Sequence, residues 1–356
     1  MRILLPYISQ TGEKLGQSKN LTGGIEKHIH SIYDEFECIP FEVTVKEKSS
    51  FAFVQKKLKE AINKYKPDLI YNNYHQKSFM DFNTPILWHW HCVNGGSMQH
   101  LTLVHSFNKL KDDLTIVGVS NFQQHTYDSL SDRQGVGRVK FERILKPDYS
   151  LEQEVVEPTY DTSTIGRLEK QKDPLFASKI FKDCRIFTTT YEDEIKRAEH
   201  NPNSQKAITN YYYKYKDNVK NHFQGISYDE TMKQLGEAKV FISTCEYESF
   251  GITALEALTR GVPCILCAAT EAKSRPFWGT HASSELSPSS DYVKVILKDA
   301  PIEDYLNAFD ELSKLDRKQI AKDTIEKHKK EDWKKSYEEV FSYTVEKFNK
   351  DKFILG

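Results

Sequence analysis

The chain has no apolar run of eighteen residues, so nothing in it predicts a membrane-spanning helix. Its start, Met1-Arg2-Ile3-Leu4-Leu5-Pro6, turns polar at Ser9 and Gln10, too soon for a secretory leader. It has no excess of charge of one sign: 50 Lys and Arg stand against 51 Asp and Glu, which excludes a generally basic coat for nucleic acid while leaving room for one basic groove. It has no cysteine framework. The six cysteines are scattered, and only Cys264 and Cys267 have metal-like spacing, inside a run that reads as a buried strand. Without a second such pair or neighbouring histidines, free thiols in a reducing compartment are expected. It also has no G-x-G-x-x-G fingerprint, so a dinucleotide is not indicated. These absences predict a soluble, cytoplasmic protein, in the host cytoplasm if the source is viral.

What is present is an alternation of short apolar runs with amphipathic stretches, the pattern of α/β layers around parallel sheets. The length of 356 residues suits two domains. In the first half the runs 3–7, 41–45, 68–71, 86–89 and 115–119 read as strands, and 24–35, 51–65, 97–109 and 121–131 as helices. The stretch 144–162 has two prolines and no clear period and reads as a linker. In the second half strands are expected at 185–189, 218–223, 239–243, 263–266 and 292–296, and helices at 174–182, 228–236, 251–260 and 302–314. The segment 316–348 reads as one long charged helix. Two doubly wound domains place a cleft at the C-terminal ends of their strands.

Four motifs carry candidate chemistry. Gly23-Gly24 follows the first strand and opens a helix, where paired glycines let backbone approach a ligand. Gly166-Arg167 and Lys172 lie between a short strand and a helix, where a guanidinium fork and an ammonium suit a diphosphate. His89-Trp90-His91 ends a strand, and alternate residues there share a face; no third ligand is evident, so no metal is expected. Last comes 240–266, VFISTCEYESFGITALEALTRGVPCIL, where Glu248 precedes a helix mouth and Glu256 lies inside it. The amides of Phe250, Gly251, Ile252 and Thr253 favour an anion there. Two carboxylates beside them would repel a bare anion but accept hydrogen bonds from vicinal hydroxyls. The ligand suggested has both phosphates and sugar hydroxyls.

Together these motifs resemble the GT-B glycosyltransferases of the large group 1 family of retaining enzymes. The marker of that family, Glu-x7-Glu, stands here as Glu248-Ser249-Phe250-Gly251 through Glu256, with Gly261 and Pro263 after it. Gly166-Arg167 to Lys172 resembles its diphosphate motif, Gly23-Gly24-Ile25-Glu26 its glycine loop, and Val117 to Asn121 its strand before a serine-capped helix. Two departures are Asp173, where glycine often follows the lysine, and 267–284, which lacks the usual glycine loop.

The resemblance implies two Rossmann-like domains facing a cleft, at 1–158 and 159–325. It also implies a C-terminal helix, 326–356, that crosses back to the first domain and carries Trp333. It implies a metal-independent hexosyl- or pentosyltransferase with no cofactor beyond its nucleotide-sugar donor, UDP-linked by preference. Arg167, Lys172 and Glu248 would be catalytic, the cations neutralising the leaving diphosphate and Glu248 holding the transferred sugar. Glu256 would hold the ribose. Phe250 to Thr253, Gly23, Gly24, His89 and His91 would complete the donor site. The acceptor is open. One alternative is a viral-type enzyme acting on hydroxymethylated bases in duplex DNA; another is a non-catalytic binder of nucleotide sugars, which the intact Arg167, Lys172 and both glutamates argue against.

Overall fold

The computed structural model describes residues 1–9, 15, 24–44, 46–74, 77–81, 83–91, 114–135, 140–146, 154–170, 172–199, 201–245, 248–268, 283–329 and 333–354. The expected helix at 97–109 and Gly23 lie outside them. The chain divides into two compact units, one of 1–148 with 330–356 and one of 149–329.

Unit one is built on β1 (Ile3–Ser9), α1 (Gly24–Glu35), β2 (Cys38–Thr44), α2 (Phe51–Tyr65), β3 (Leu69–Asn72), β4 (Ile86–Trp90), β5 (Thr115–Gly118), α3 (Asn121–Gln134) and β6 (Arg143–Ile144). Its sheet runs β2-β1-β3-β4-β5-β6 with every pair parallel. Strands β1, β3, β4 and β5 are buried along their whole length, which explains their continuous apolar runs. Ser120 accepts a hydrogen bond from the Gln123 amide and so starts α3.

The C-terminal helix Trp333–Ile354 completes this core. Tyr337, Val340 and Phe341, spaced for one helical face, are buried against Ile29, Leu69, Tyr71 and Leu87. Tyr337 donates to the Lys146 carbonyl at 3.0 Å, and Arg143–Glu339 and Lys334–Glu35 ion pairs flank it, each at 3.1 Å.

Unit two contains β7 (Tyr160–Ile165), β8 (Arg185–Thr188), α4 (Tyr191–Arg197), α5 (Pro202–Tyr215), β9 (His222–Gln224), α6 (Tyr228–Gly236), β10 (Ala238–Ser243), α7 (Ile252–Thr259), β11 (Cys264–Ala268), β12 (Val293–Leu297), α8 (Ile302–Leu312) and α9 (Arg317–His328). Its parallel sheet runs β12-β11-β10-β7-β8-β9. Counted within the unit this is 3-2-1-4-5-6, the doubly wound order in which ligands bind where the winding reverses. Here that point lies between β7 and β10, paired at Val240 with Thr162 and Phe241 with Ser163.

Three expectations need correction. Residues 160–162 are not linker but the start of β7, whose interior, Thr162-Ser163-Thr164, is buried yet polar and so gives no apolar signal. The strand expected at 218–223 is only His222–Gln224, preceded by a turn of 3₁₀ helix at Lys216–Asn218. The single helix expected at 316–348 is two. The segment α9 serves unit two, burying Ile320, Ala321, Thr324 and His328, whereas the helix from Trp333 serves unit one. At Lys329 the backbone leaves helical geometry, with φ −56° and ψ 106°. The helices α4 and α5 were not expected at all.

Among the described residues, no helix is long and apolar enough to cross a membrane, and Cys38, Cys184, Cys245, Cys264 and Cys267 form no disulfide.

Candidate functional site

The loops after β7 and β10 leave neighbouring strands at the reversal point, and they carry the expected donor residues. After β7 the chain folds back at Gly166, where an added Cβ would lie 3.3 Å from the Cβ of Lys172. Lys172 follows one turn later and ion-pairs with Glu248 from the loop after β10. Both side chains are about a quarter exposed, 24% each. The Thr244 hydroxyl donates to the Lys172 carbonyl at 2.8 Å and ties the two loops together. Burial pulls the Lys172 ammonium's pKa down, but the Glu248 and Cys245 charges outweigh it and hold the group above the ordinary lysine range.

Arg167 pairs with Glu169 at 2.6 Å. Its charge reaches Lys172, whose protonation it opposes, so two cations share this corner. Asp173 has left-handed backbone, φ 41° and ψ 45°. That geometry accounts for the departure from glycine: the chain needs positive φ here, and Asp tolerates it better than most residues. Its carboxylate pairs with Lys298 at 2.6 Å, with both side chains largely buried. Lys298 gave no sequence signal, because it lies far along the chain just after β12.

On the other loop, Gly251 has φ 86°, a conformation strained for other residues, and an added Cβ would meet Leu286 at 3.1 Å. It precedes α7 without a side-chain cap. The first amides of α7, Ile252 and Thr253 among them, have no intrahelical acceptor and present the positive end of the helix dipole. Glu256 is buried on α7 and accepts a hydrogen bond from the Tyr228 hydroxyl. The Arg260 guanidinium donates to the Glu256 carbonyl at 2.9 Å. Tyr228 was missed by sequence reasoning. Its position comes from Gly225, at φ 64°, and from Ser227, which caps α6 by accepting from the Glu230 amide. Burial first, then Glu256, raises the phenol above its ordinary pKa, so it stays a donor.

In unit one, Gly24 is the first residue of α1. His89 is buried, with Nδ1 2.6 Å from the Tyr71 hydroxyl and Nε2 3.0 Å from the Leu145 carbonyl oxygen. Burial and then His28 push its pKa well below the ordinary histidine range and keep it neutral. The Nε2 of His91 lies 2.8 Å from Oδ1 of Asn73. The two rings are 4.1 Å apart, as alternate positions at the end of one strand require. His28 from α1, one turn beyond Gly24, joins them.

Residues 154–273, within unit two, match the family described as "Glycosyl transferases group 1". No curated protein matches the chain. Among solved structures, sucrose-phosphate synthase (tll1590) from Thermosynechococcus elongatus superposes with a TM-score of 0.62 at 14% identity, over 100% of both chains. The α,α-trehalose 6-phosphate synthase of Burkholderia multivorans gives 0.62 at 11%, over 99% of this chain and 98% of that one. A variant of S. aureus TarM in complex with fondaparinux, alpha-GlcNAc-glycerol and UDP gives 0.54 at 13%, over 82% of this chain. This chain spans 58% of TarM's length. At such identities the likeness is one of fold, and the fold is GT-B.

Proposed function

We propose that the chain is a retaining glycosyltransferase that moves a sugar from a nucleotide-diphosphate sugar to a hydroxyl acceptor and needs no metal for the transfer. The observation that carries this reading is the meeting of Lys172, Glu248 and the uncapped start of α7 at the reversal point of unit two. Cations and amides there suit a diphosphate, and the carboxylates suit the hydroxyls on either side of it. Lys172 and Arg167 take the diphosphate, and Glu256, already accepting from Tyr228, takes the ribose hydroxyls. Glu248 turns from Lys172 to the transferred sugar. The UDP bound by TarM, a protein of similar fold, supports uridine as the base.

In the reaction the bond from the anomeric carbon to the diphosphate breaks and a bond to the acceptor oxygen forms on the same face. The acceptor proton passes to an oxygen of the departing phosphate. No protein nucleophile takes part. The main catalytic effect is stabilisation of the charge that develops on the leaving diphosphate by groups already in place.

A panel of nucleotide sugars read by mass spectrometry tests the proposal, since one donor should be hydrolysed or transferred in preference to the rest. Lys172→Ala and Glu256→Ala should each lower turnover by orders of magnitude. If both variants keep near-normal rates, the assignment of the site fails.

A further inference from the structure

The charges that cancel over the whole chain do not cancel around α2. Between Lys46 and Lys66 stand seven lysines and two glutamates. Glu47, one of the two, is engaged locally: its carboxylate accepts from the Thr44 amide at 2.8 Å and lies 3.8 Å from the Lys57 ammonium. Lys46, Lys56, Lys59, Lys64 and Lys66 are exposed. The segment therefore presents a basic surface on a chain that has no excess of basic residues.

The first turn of the same helix exposes two large apolar rings. Phe51 is 61% exposed and Phe53 45%, with exposed Ala52 between them. A single exposed apolar side chain is ordinary on a protein surface. Here two flank one helix tip, and the Lys57 ammonium lies 5.9 Å from the Phe53 ring. The helix cannot roll to hide them. Val54 and Leu58 are fully buried beneath it, and a roll that covered Phe53 would bring Val54 out. Gln55 fixes the orientation further, its amide nitrogen donating to the Ser78 and Met80 carbonyls at 2.9 Å each. Because α2 follows β2, this tip stands at the C-terminal ends of unit one's strands, the side on which open parallel sheets bind ligands.

We propose that the first turn of α2 docks unit one onto a membrane surface rich in anionic phospholipid, with Phe51 and Phe53 entering the headgroup boundary and the surrounding lysines meeting the phosphates. Such a surface has an outer anionic layer over an apolar one, and the segment offers ammoniums around a pair of rings in the matching arrangement. Duplex DNA also supplies phosphates, but the rings could bury there only by unstacking base pairs at a cost. Docking by this tip brings the ligand side of unit one to the bilayer without any span. The proposal is independent of sugar transfer, since binding to a bilayer needs no donor.

The test is sedimentation of the full chain with vesicles of phosphatidylcholine alone and of phosphatidylcholine with phosphatidylglycerol. The chain should bind the anionic vesicles only, and high salt should release most of it. Phe51→Ser with Phe53→Ser should weaken binding about tenfold or more, as loss of two partly buried rings requires. Lys46→Gln with Lys56→Gln should weaken it by about tenfold as well. All these side chains are exposed, so unfolding midpoints should match the parent. In Phe53→Trp the added indole should be quenched by lipids brominated on their acyl chains. No binding to anionic vesicles at low salt overturns the proposal, and so does binding by the double phenylalanine variant within twofold of the parent. A DNA duplex that binds more tightly than the vesicles at equal salt overturns it in favour of nucleic acid.

Discussion

The ion pair between Lys172 and Glu248 sets up a competition that can be measured. In the ligand-free chain the ammonium proposed for the donor diphosphate already has a carboxylate partner. A diphosphate has to displace Glu248 before it gains Lys172. Glu248→Gln keeps the shape of the side chain and removes its charge. At 24% exposure of each side chain the pair lies between a surface ion pair and a buried one. Such a charged hydrogen bond is worth about 1–2 kcal/mol. Releasing Lys172 should therefore tighten UDP roughly 5–30-fold, because 1.4 kcal/mol is a factor of ten. Sugar transfer should fall at the same time, since Glu248 is the proposed partner of the transferred sugar.

Calorimetry with UDP in metal-free buffer gives the affinity directly. Because the Lys172 pKa is raised, the pair is fully formed below the ordinary lysine value of 10.5 and is lost only as pH rises through the higher folded value. An assay at pH 7–8 does not titrate it. The control is a double-mutant cycle with Lys172→Met, in which the gain from Glu248→Gln should vanish. If Glu248→Gln binds UDP no better than the parent, Lys172 is not the diphosphate cation or is not held by Glu248, and the reasoning fails.

Other outcomes follow from single features. Tyr228→Phe removes the donor to Glu256 and should shift KM for the nucleotide sugar more than kcat, read from initial rates. Gly261→Ala should cost more than about 2 kcal/mol in urea unfolding, since φ is 74° and the new Cβ would lie 2.3 Å from the Arg317 carbonyl oxygen. Phe341→Ala, which empties a fully buried position between the C-terminal helix and the rest of unit one, should cost about 3–5 kcal/mol by the same measurement. Burial pushes the pKa of His222 down to about 4, below its ordinary 6.5. The unfolded chain then binds more protons between those values, and stability should fall as pH drops from 6.5 towards 4. His222→Gln should flatten that part of the profile.

Much of the fold could be read from apolar periodicity, and the exceptions have physical causes. Strands β1, β3, β4 and β5 are buried throughout, so their runs stood out. The middle of β7 is buried too, but hydroxyls fill it and hid the strand's start inside an apparent linker. The helix α5 contains Tyr211, Tyr212 and Tyr213 among lysines, a pattern with no clean apolar stripe. The division at Lys329 was illegible because no glycine or proline marks it. Two cores compete for one amphipathic stretch, and a local pattern does not say which core takes which residues.

The site follows the same logic at longer range. Glu248 and Glu256 share a helix mouth, and their spacing announced itself. Lys172 and Glu248 are 76 residues apart, and nothing local links them. Their meeting depends on β7 and β10 being neighbours in the sheet although two strands separate them in sequence. The 3-2-1-4-5-6 order turns two unremarkable loops into one charged corner. Asp173 shows the same dependence from the opposite side. As a departure from glycine it looked like a loss, yet the backbone there keeps positive φ, and Lys298, brought in from the sheet's far edge, neutralises the carboxylate that glycine would not have carried. A substitution at the loop is thus answered by a residue after β12, and Asp173→Gly should take this carboxylate away from the largely buried Lys298. That variant should lose stability through Lys298 while keeping the loop geometry. Asp173→Gly with Lys298→Met should recover most of the loss, as the unfolding midpoints of the two variants would register. If the single variant is as stable as the parent, the pair compensates for nothing and Asp173 holds its place for another reason.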